Sequence, residues 1–274
     1  IINYVGQARK AVVLGGGLLG LEAARGLLNR GLEVHVIHLA PHLMNVQLDP
    51  PASSILKDAL ERMGVRFCLE KNTVAIRCDE RVRSLVFADG SELECDMCVI
   101  AAGIRPNVDL ARAAGLQVER GIVVTDQLSC SLPDIYALGE CIQHRGRLYG
   151  LVALLWEQAR CLADTLTGTG AGTYEGSQES TKLKVMGLEL AVMGEKERGE
   201  EQDEIVTYTE PTRGIYKKLI IRQGRLVGAI VLGDNPTTPH WSLYAVLSRE
   251  REIPGAHPRP GRPPGHRVSP SGFA

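Results

Sequence analysis

Gly15, Gly17 and Gly20 stand where a short apolar run, KAVVL (10–14), meets a helical pattern, LEAARGLLNRG (21–31). Such a G-x-G-x-x-G turn is suited to holding a pyrophosphate. Gly15 permits the tight strand-to-helix turn, Gly17 lets the backbone approach the phosphates where any Cβ would obstruct it, and Gly20 lets the helix pack close to the strand. Gly16, Leu18 and Leu19 complete the loop, and the helix N-terminus presents free N–H groups and partial positive charge to an anion. The motif by itself is a weak signal. Here a strand precedes it, a helix follows it and a second strand, LEVHVIHL (32–39), completes a βαβ unit, so dinucleotide binding is a stronger reading than a purely structural glycine turn.

The end of that second strand discriminates between nicotinamide nucleotides, because an acidic residue there binds a ribose 2′-hydroxyl. The residue is His38. No Lys or Arg occurs between Arg30 and Lys57, which leaves His38 and His42 as the candidate cations for a 2′-phosphate. The loop therefore predicts a preference for NADH, with NADPH binding strengthening as the histidines are protonated. His42 also reads as a solvated loop residue. Glu22, early in the helix, has two readings: a carboxylate favoured by the helix dipole, or a group beside the nicotinamide.

A second candidate site lies in SLPDIYALGE (131–140), read as an apolar strand that ends at Gly139 and brings Glu140 to its carboxyl end. In an α/β sheet that location is the ligand crevice, where a carboxylate can bind a polyol hydroxyl; an ordinary strand-to-helix loop is the alternative. Cys95 and Cys98 form a C-x-x-C. Strand alternation predicts that they face opposite sides, and with no second ligand pair nearby they read as incidental.

These residues need elements to position them. Residues 51–63 read as a helix and GVRFCLE (64–70) as a third strand. VAIRC, VRSLVF and ELEC read as short strands with a hairpin at Asp89-Gly90, and MCVIAAG (97–103) closes the unit. A short helix, VDLARAAG (108–115), a strand, GIVVTD (121–126), and a long helix, LVALLWEQARCLADTL (151–166), follow. TGTGAGTYEGS (167–177) reads as a flexible linker. LKVMGLELAVMG, DEIVTYTE and YKKLIIRQGRLVGAIVLG, with a hairpin at Gln223-Gly224, predict a small, separate antiparallel domain. The expected fold is α/β. A Rossmann-like NAD(P)H-binding domain (8–103) is followed by part of an FAD-binding domain (104–170), a small β-rich domain (180–235) and a disordered tail (240–274) rich in Pro, Gly and Arg.

The 274 residues carry 44% hydrophobic and 23% charged residues with a net charge of −1, which gives no electrostatic case for nucleic acid. No apolar stretch has the length of a membrane span and no signal peptide is visible. Seven cysteines without regular spacing read as reduced thiols, so a cytoplasmic protein is expected. The first residue is not Met and the first strong strand begins ten residues in, which reads as a fragment.

VIAAGIRPN (99–107) resembles the linking motif of pyridine nucleotide–disulfide oxidoreductase-type flavoproteins. IYALGE (135–140) resembles their second FAD motif, which has Asp in place of Glu140. GGGLLGLEAA, GEC, YGLVA, WEQA and STKLKVMGLELAVMGE together resemble one branch, the large subunits of assimilatory NAD(P)H-dependent nitrite reductases, over roughly residues 5–235. The resemblance puts Gly15, Gly17, Gly20 and Glu22 on the nicotinamide-nucleotide site. It puts Gly103 where the chain crosses back to the flavin domain, and Gly139 and Glu140 on the flavin ribitol. It implies hydride transfer from NAD(P)H to FAD, with electrons passing onward to iron–sulfur and sirohaem modules and, in the intact enzyme, reducing nitrite to ammonia. It names no catalytic side chain. The chain departs from the family in three ways. It contains no first G-x-G-x-x-G for the FAD adenine half, it has no Cys after Cys161 to ligate a cluster, and it carries Ala153-Leu154-Leu155 where a Pro is expected. The stretch after about residue 240 does not resemble the family either, and a truncated or frame-shifted product accounts for that tail and for the missing cluster modules. Two alternatives stay open: a stand-alone reductase serving ferredoxin or rubredoxin, and a nucleotide-binding module without activity. Oligomeric state is not legible.

Overall fold

The computed structural model describes residues 2–168, 172–177, 180–185 and 187–233. The proposed tail at 240–274 lies outside them. After a one-turn helix α1 (Ile2–Val5), the chain builds a four-stranded parallel sheet from β1 (Lys10–Leu14), β2 (Glu33–Ile37), β3 (Val65–Cys68) and a later strand, β7 (Met97–Ile100). The order is β3-β2-β1-β7. The strands are short and apolar because both faces are covered; Ala11, Val12, Val13, Val34 and Val36 have no exposed surface. Helix α2 (Leu18–Leu28) connects β1 to β2, and α3 (Pro50–Arg62) connects β2 to β3. β1 lies between β2 and β7, so its carboxyl end is the point where successive connections diverge and a crevice opens.

Between β3 and β7 the chain makes an antiparallel meander: β4 (Thr73–Cys78), β5 (Val82–Phe87) and β6 (Glu92–Glu94). The expected hairpin at Asp89-Gly90 forms there, with Gly90 at φ 81°. The Cys95/Cys98 expectation is corrected. Cys95 precedes β7, so strand alternation does not govern it, and both thiols pack into one apolar cluster with Leu85 and Phe87. Burial pushes the Cys95 thiol up to about 11 and raises Cys98 as well, which disfavours the thiolate that metal or redox chemistry needs.

A second unit follows: helix α4 (Asp109–Ala113), then β8 (Ile122–Val124), β9 (Ile142–His144) and β10 (Arg147–Leu148), and helix α5 (Val152–Thr167). The predicted strand across 131–138 is corrected. Apart from an isolated bridge between Ser129 and Tyr136, the segment joins no ladder among the described residues. Leu132, Ile135, Tyr136 and Leu138 are 37–41% exposed. An apolar pattern yields a strand only where a neighbouring strand accepts its hydrogen bonds. The linker expectation is corrected in the opposite sense. Tyr174 and Ser177 are buried, and their hydroxyls lie 2.9 Å apart.

The third unit is a five-stranded antiparallel sheet, order β11-β12-β15-β14-β13. It is built from β11 (Ser180–Val185), β12 (Leu188–Gly194), β13 (Glu204–Glu210), β14 (Ile215–Arg222) and β15 (Arg225–Leu232). The hairpin between β14 and β15 turns at Gln223 and Gly224, both with positive φ, 51° and 74°, the backbone of a two-residue primed turn. One face of this sheet packs on the first unit. Leu190, Val192, Tyr216, Ile230 and Leu232 share one core with Leu43, Met44, Leu48, Ala52 and Leu56.

That contact has a polar centre at Asp49. One carboxylate oxygen accepts from the Ala52 N–H at 3.1 Å and caps α3. The other accepts from the Tyr216 hydroxyl and the Lys218 ammonium, both at 2.8 Å. Burial beside this carboxylate raises the Tyr216 phenol well above its usual range. A buried acid satisfied on both oxygens fixes the third sheet against the 38–49 loop.

Candidate functional site

The glycine loop sits at the carboxyl end of β1. Gly15 has φ 118°, and a Cβ there would collide with the Ala101 carbonyl just past β7. A Cβ on Gly20 would collide with the Gly15 carbonyl. These two glycines close the turn. Gly17 differs: it is the N-cap of α2 at φ −85° and ψ −176°, no side chain caps the helix, and a Cβ there would meet nothing within 4 Å. The open space at Gly17 and the uncapped helix N–H groups fit a pyrophosphate. Leu18 and Leu19 form the first turn, and Leu19 is 67% exposed. Glu22 lies beyond that first turn on the exposed side, which removes the dipole-capping reading.

His38 does not project as an open ribose ligand. Its Nδ1 accepts from the Gly16 N–H at 3.1 Å, and its Nε2 lies 3.2 Å from Asn45 Oδ1. Burial lowers its basicity, since desolvation disfavours the imidazolium. The loop is also reached by a cation that sequence reading missed. Lys196, between β12 and β13, donates to the Asn45 backbone carbonyl. Its position 151 residues along the chain leaves no local signal.

At the second candidate site, Gly103 lies past the end of β7 at φ 92°. Gly139 has φ 108° and free space on its Cβ side. Its N–H donates to Gln158 Oε1 at 2.8 Å. Gln158 is fully buried and donates in turn to the Tyr174 hydroxyl at 3.3 Å. Helix α5 therefore holds the Gly139 turn from behind, while Glu140 stays exposed. The open turn, the free carboxylate and an α5 N-terminus without a side-chain cap fit a polyol-bearing ligand. Gln158 stood within the WEQA run, which the sequence reading used only for the family resemblance and which gave it no partner.

No group of three or more His, Cys, Asp or Glu in metal-holding arrangement occurs among the described residues. No helix among them is long and apolar enough to cross a membrane.

Residues 1–159 match the family described as Pyridine nucleotide-disulphide oxidoreductase. Residues 180–243 match the Rubredoxin NAD+ reductase C-terminal domain. The chain is 48% identical over 247 residues to Nitrite reductase [NAD(P)H] of Bacillus subtilis, covering 90% of this chain and 30% of that protein. It is 39% identical over 254 residues to Nitrite reductase (NADH) large subunit of Escherichia coli, again covering 90% of this chain and 30% of the relative. The chain thus spans about a third of the length of these curated relatives. Among solved structures it is similar to a ferredoxin reductase from Rhodopseudomonas palustris, with TM-score 0.78 and 29% identity over 92% of this chain and 62% of the other.

Proposed function

Since the chain belongs to the pyridine nucleotide-disulphide oxidoreductase family, we propose that it is the nucleotide- and flavin-facing module of an NAD(P)H-dependent nitrite reductase. The observation that carries this reading is the cradle at Gly17: an open, uncapped helix N-terminus closed on both sides by glycines that tolerate no Cβ. Gly15 through Gly20 would hold the nucleotide pyrophosphate. The exposed carboxylate of Glu22 would lie toward the nicotinamide side. Gly139 and Glu140 would hold the flavin ribitol, with Gly103 at the crossing between the two units. Bound FAD supplies the conversion of a two-electron hydride from NAD(P)H into single electrons. The chain's own residues orient the partners and exclude water, and no side chain acts as acid or base. Among the described residues no group of three or more His, Cys, Asp or Glu could hold a metal, so iron–sulfur and sirohaem acceptors would lie outside them. A cytoplasmic location belongs to the same proposal, supported by seven cysteines without a disulfide spacing. A second reading, a reductase serving ferredoxin or rubredoxin, is supported by the third sheet's match to the rubredoxin reductase domain.

Calorimetric titration of the 274-residue chain tests the proposal. NADH or NADPH should bind. FAD should bind weakly, because the 274 residues hold no G-x-G-x-x-G for the FAD adenine half beside the Gly139 turn. Absence of nucleotide binding would remove the nucleotide assignment, and tight FAD binding would overturn the account of the flavin turn.

A further inference from the structure

We propose that His38 is a positioning residue for the glycine loop, holding Gly16 through its neutral imidazole so that acid releases the loop. The inference rests on the reading of that loop as the nucleotide site. The position at the end of β2 is where a ribose ligand is expected, yet the ring is turned inward. The Gly16 N–H donates to Nδ1 at 3.1 Å. A donor N–H can pair only with a ring nitrogen that carries a lone pair, so Nδ1 is unprotonated. The single ring proton then sits on Nε2, where Asn45 Oδ1 accepts it at 3.2 Å. Both bonds therefore select one tautomer.

The same loop grips the other side of Gly16. The Met44 N–H donates to the Gly16 carbonyl at 2.9 Å. A Cβ on Gly16 would lie 2.7 Å from Leu43 Cδ2 and 2.9 Å from His38 Cγ, so the ring packs directly on the glycine backbone. With both peptide groups of Gly16 held, the direction of the next N–H groups, at Gly17 and Leu18, is set. Those are the groups that would meet phosphate.

Protonation of His38 places a second N–H on Nδ1, facing the Gly16 N–H. Two donors then oppose each other and the grip is lost. Burial of the ring disfavours the imidazolium most; the hydrogen bonds to Asn45 and to the His42 backbone favour it, and the charge of His42 opposes it. Burial prevails, so the ring is less basic than a free imidazole. Lys196, between β12 and β13, brings a further cation to the Asn45 backbone carbonyl. The sign follows. The grip is complete above the ordinary histidine value of about 6.5 and erodes as the pH falls below it. This runs against the expectation that protonation of His38 would strengthen NADPH binding.

The test uses the 274-residue chain with NAD+ as the probe, because the oxidised nucleotide survives acid. Dissociation constants are measured by calorimetry from pH 8 to 5.5 in wild type, His38→Asn and His38→Leu, with the histidine ring nitrogens followed by NMR. The wild-type constant should rise about tenfold across that range, the worth of one hydrogen bond. His38→Asn keeps an acceptor for Gly16 and cannot be protonated, so it should bind like wild type at pH 8 and show a flat profile. His38→Leu should bind about tenfold more weakly at every pH. NMR should show the proton on Nε2. A wild-type profile as flat as the Asn variant's, a proton on Nδ1, or full-strength binding by a folded Leu variant would overturn the inference. If the wild type binds no NAD+ at pH 8, the nucleotide reading fails, and the NMR tautomer still decides whether His38 holds Gly16. If the Leu variant does not fold, the Asn variant and the wild-type profile decide.

Discussion

The two glycine turns of this chain share a role in the sequence and differ in how they are built. At Gly15–Gly20 every support comes from the chain itself: β2 and β7 flank β1, the backbone past β7 closes on Gly15, and the 38–49 loop grips Gly16. That loop is pinned in turn by the third sheet through Asp49, Tyr216 and Lys218. At Gly139 the support is one-sided. Gln158 holds the turn from behind, while the apolar residues leading into it, Ile135 and Leu138, are 37% and 38% exposed. A motif is a finished site only when the backbone ladder beneath it is complete. The first turn meets that condition among the described residues and the second does not.

Three perturbations probe this contrast, in descending order of expected effect. Asp49→Ala should break it most severely. It removes a helix cap and leaves the Lys218 ammonium buried opposite an apolar methyl, a loss of about 3–5 kcal/mol. Chemical denaturation should show the parallel sheet and the third sheet weakening together; a loss below about 1 kcal/mol would mean that the two units stand independently. Gly17→Val should leave stability nearly unchanged, since its backbone is in the extended region and nothing lies within 4 Å of the new Cβ. Nucleotide affinity should nonetheless drop by at least about 2–3 kcal/mol, because phosphate contacts to several N–H groups vanish. Unchanged affinity in a folded variant would make the first turn merely structural. Ile135→Ser should change the unfolding free energy by less than about 0.5 kcal/mol. A loss of about 2 kcal/mol or more would show that the 131–138 segment is packed and that the contrast between the turns is overstated.

Much of the first unit was legible in the sequence because its determinants are local. The βαβ unit follows from apolar periodicity and from glycines whose missing Cβ is needed within a few residues. The hairpins at Asp89-Gly90 and Gln223-Gly224 follow from residues that tolerate positive φ. The readings that needed correction share one cause. The strand expected at 131–138 was inferred from its own side chains, but a strand is a relation between two segments. The linker at 167–177 was inferred from its small residues, yet Tyr174 and Ser177 are buried against Gln158 and Leu154 of α5.

The sequence by itself determined the glycine loop, its helix and its flanking strands, because backbone sterics and short-range periodicity suffice to specify them. Tertiary structure decided what surrounds them. Periodicity marks which face is apolar but not which face it meets, so the joining of Tyr216 to the core beside Leu48 had no local signature. The same holds for charge. From the sequence, His38 was a candidate ribose ligand; in the fold, packing against Gly16 and Asn45 turns it inward. The cation that approaches its loop comes from 151 residues away, a distance that only folding removes.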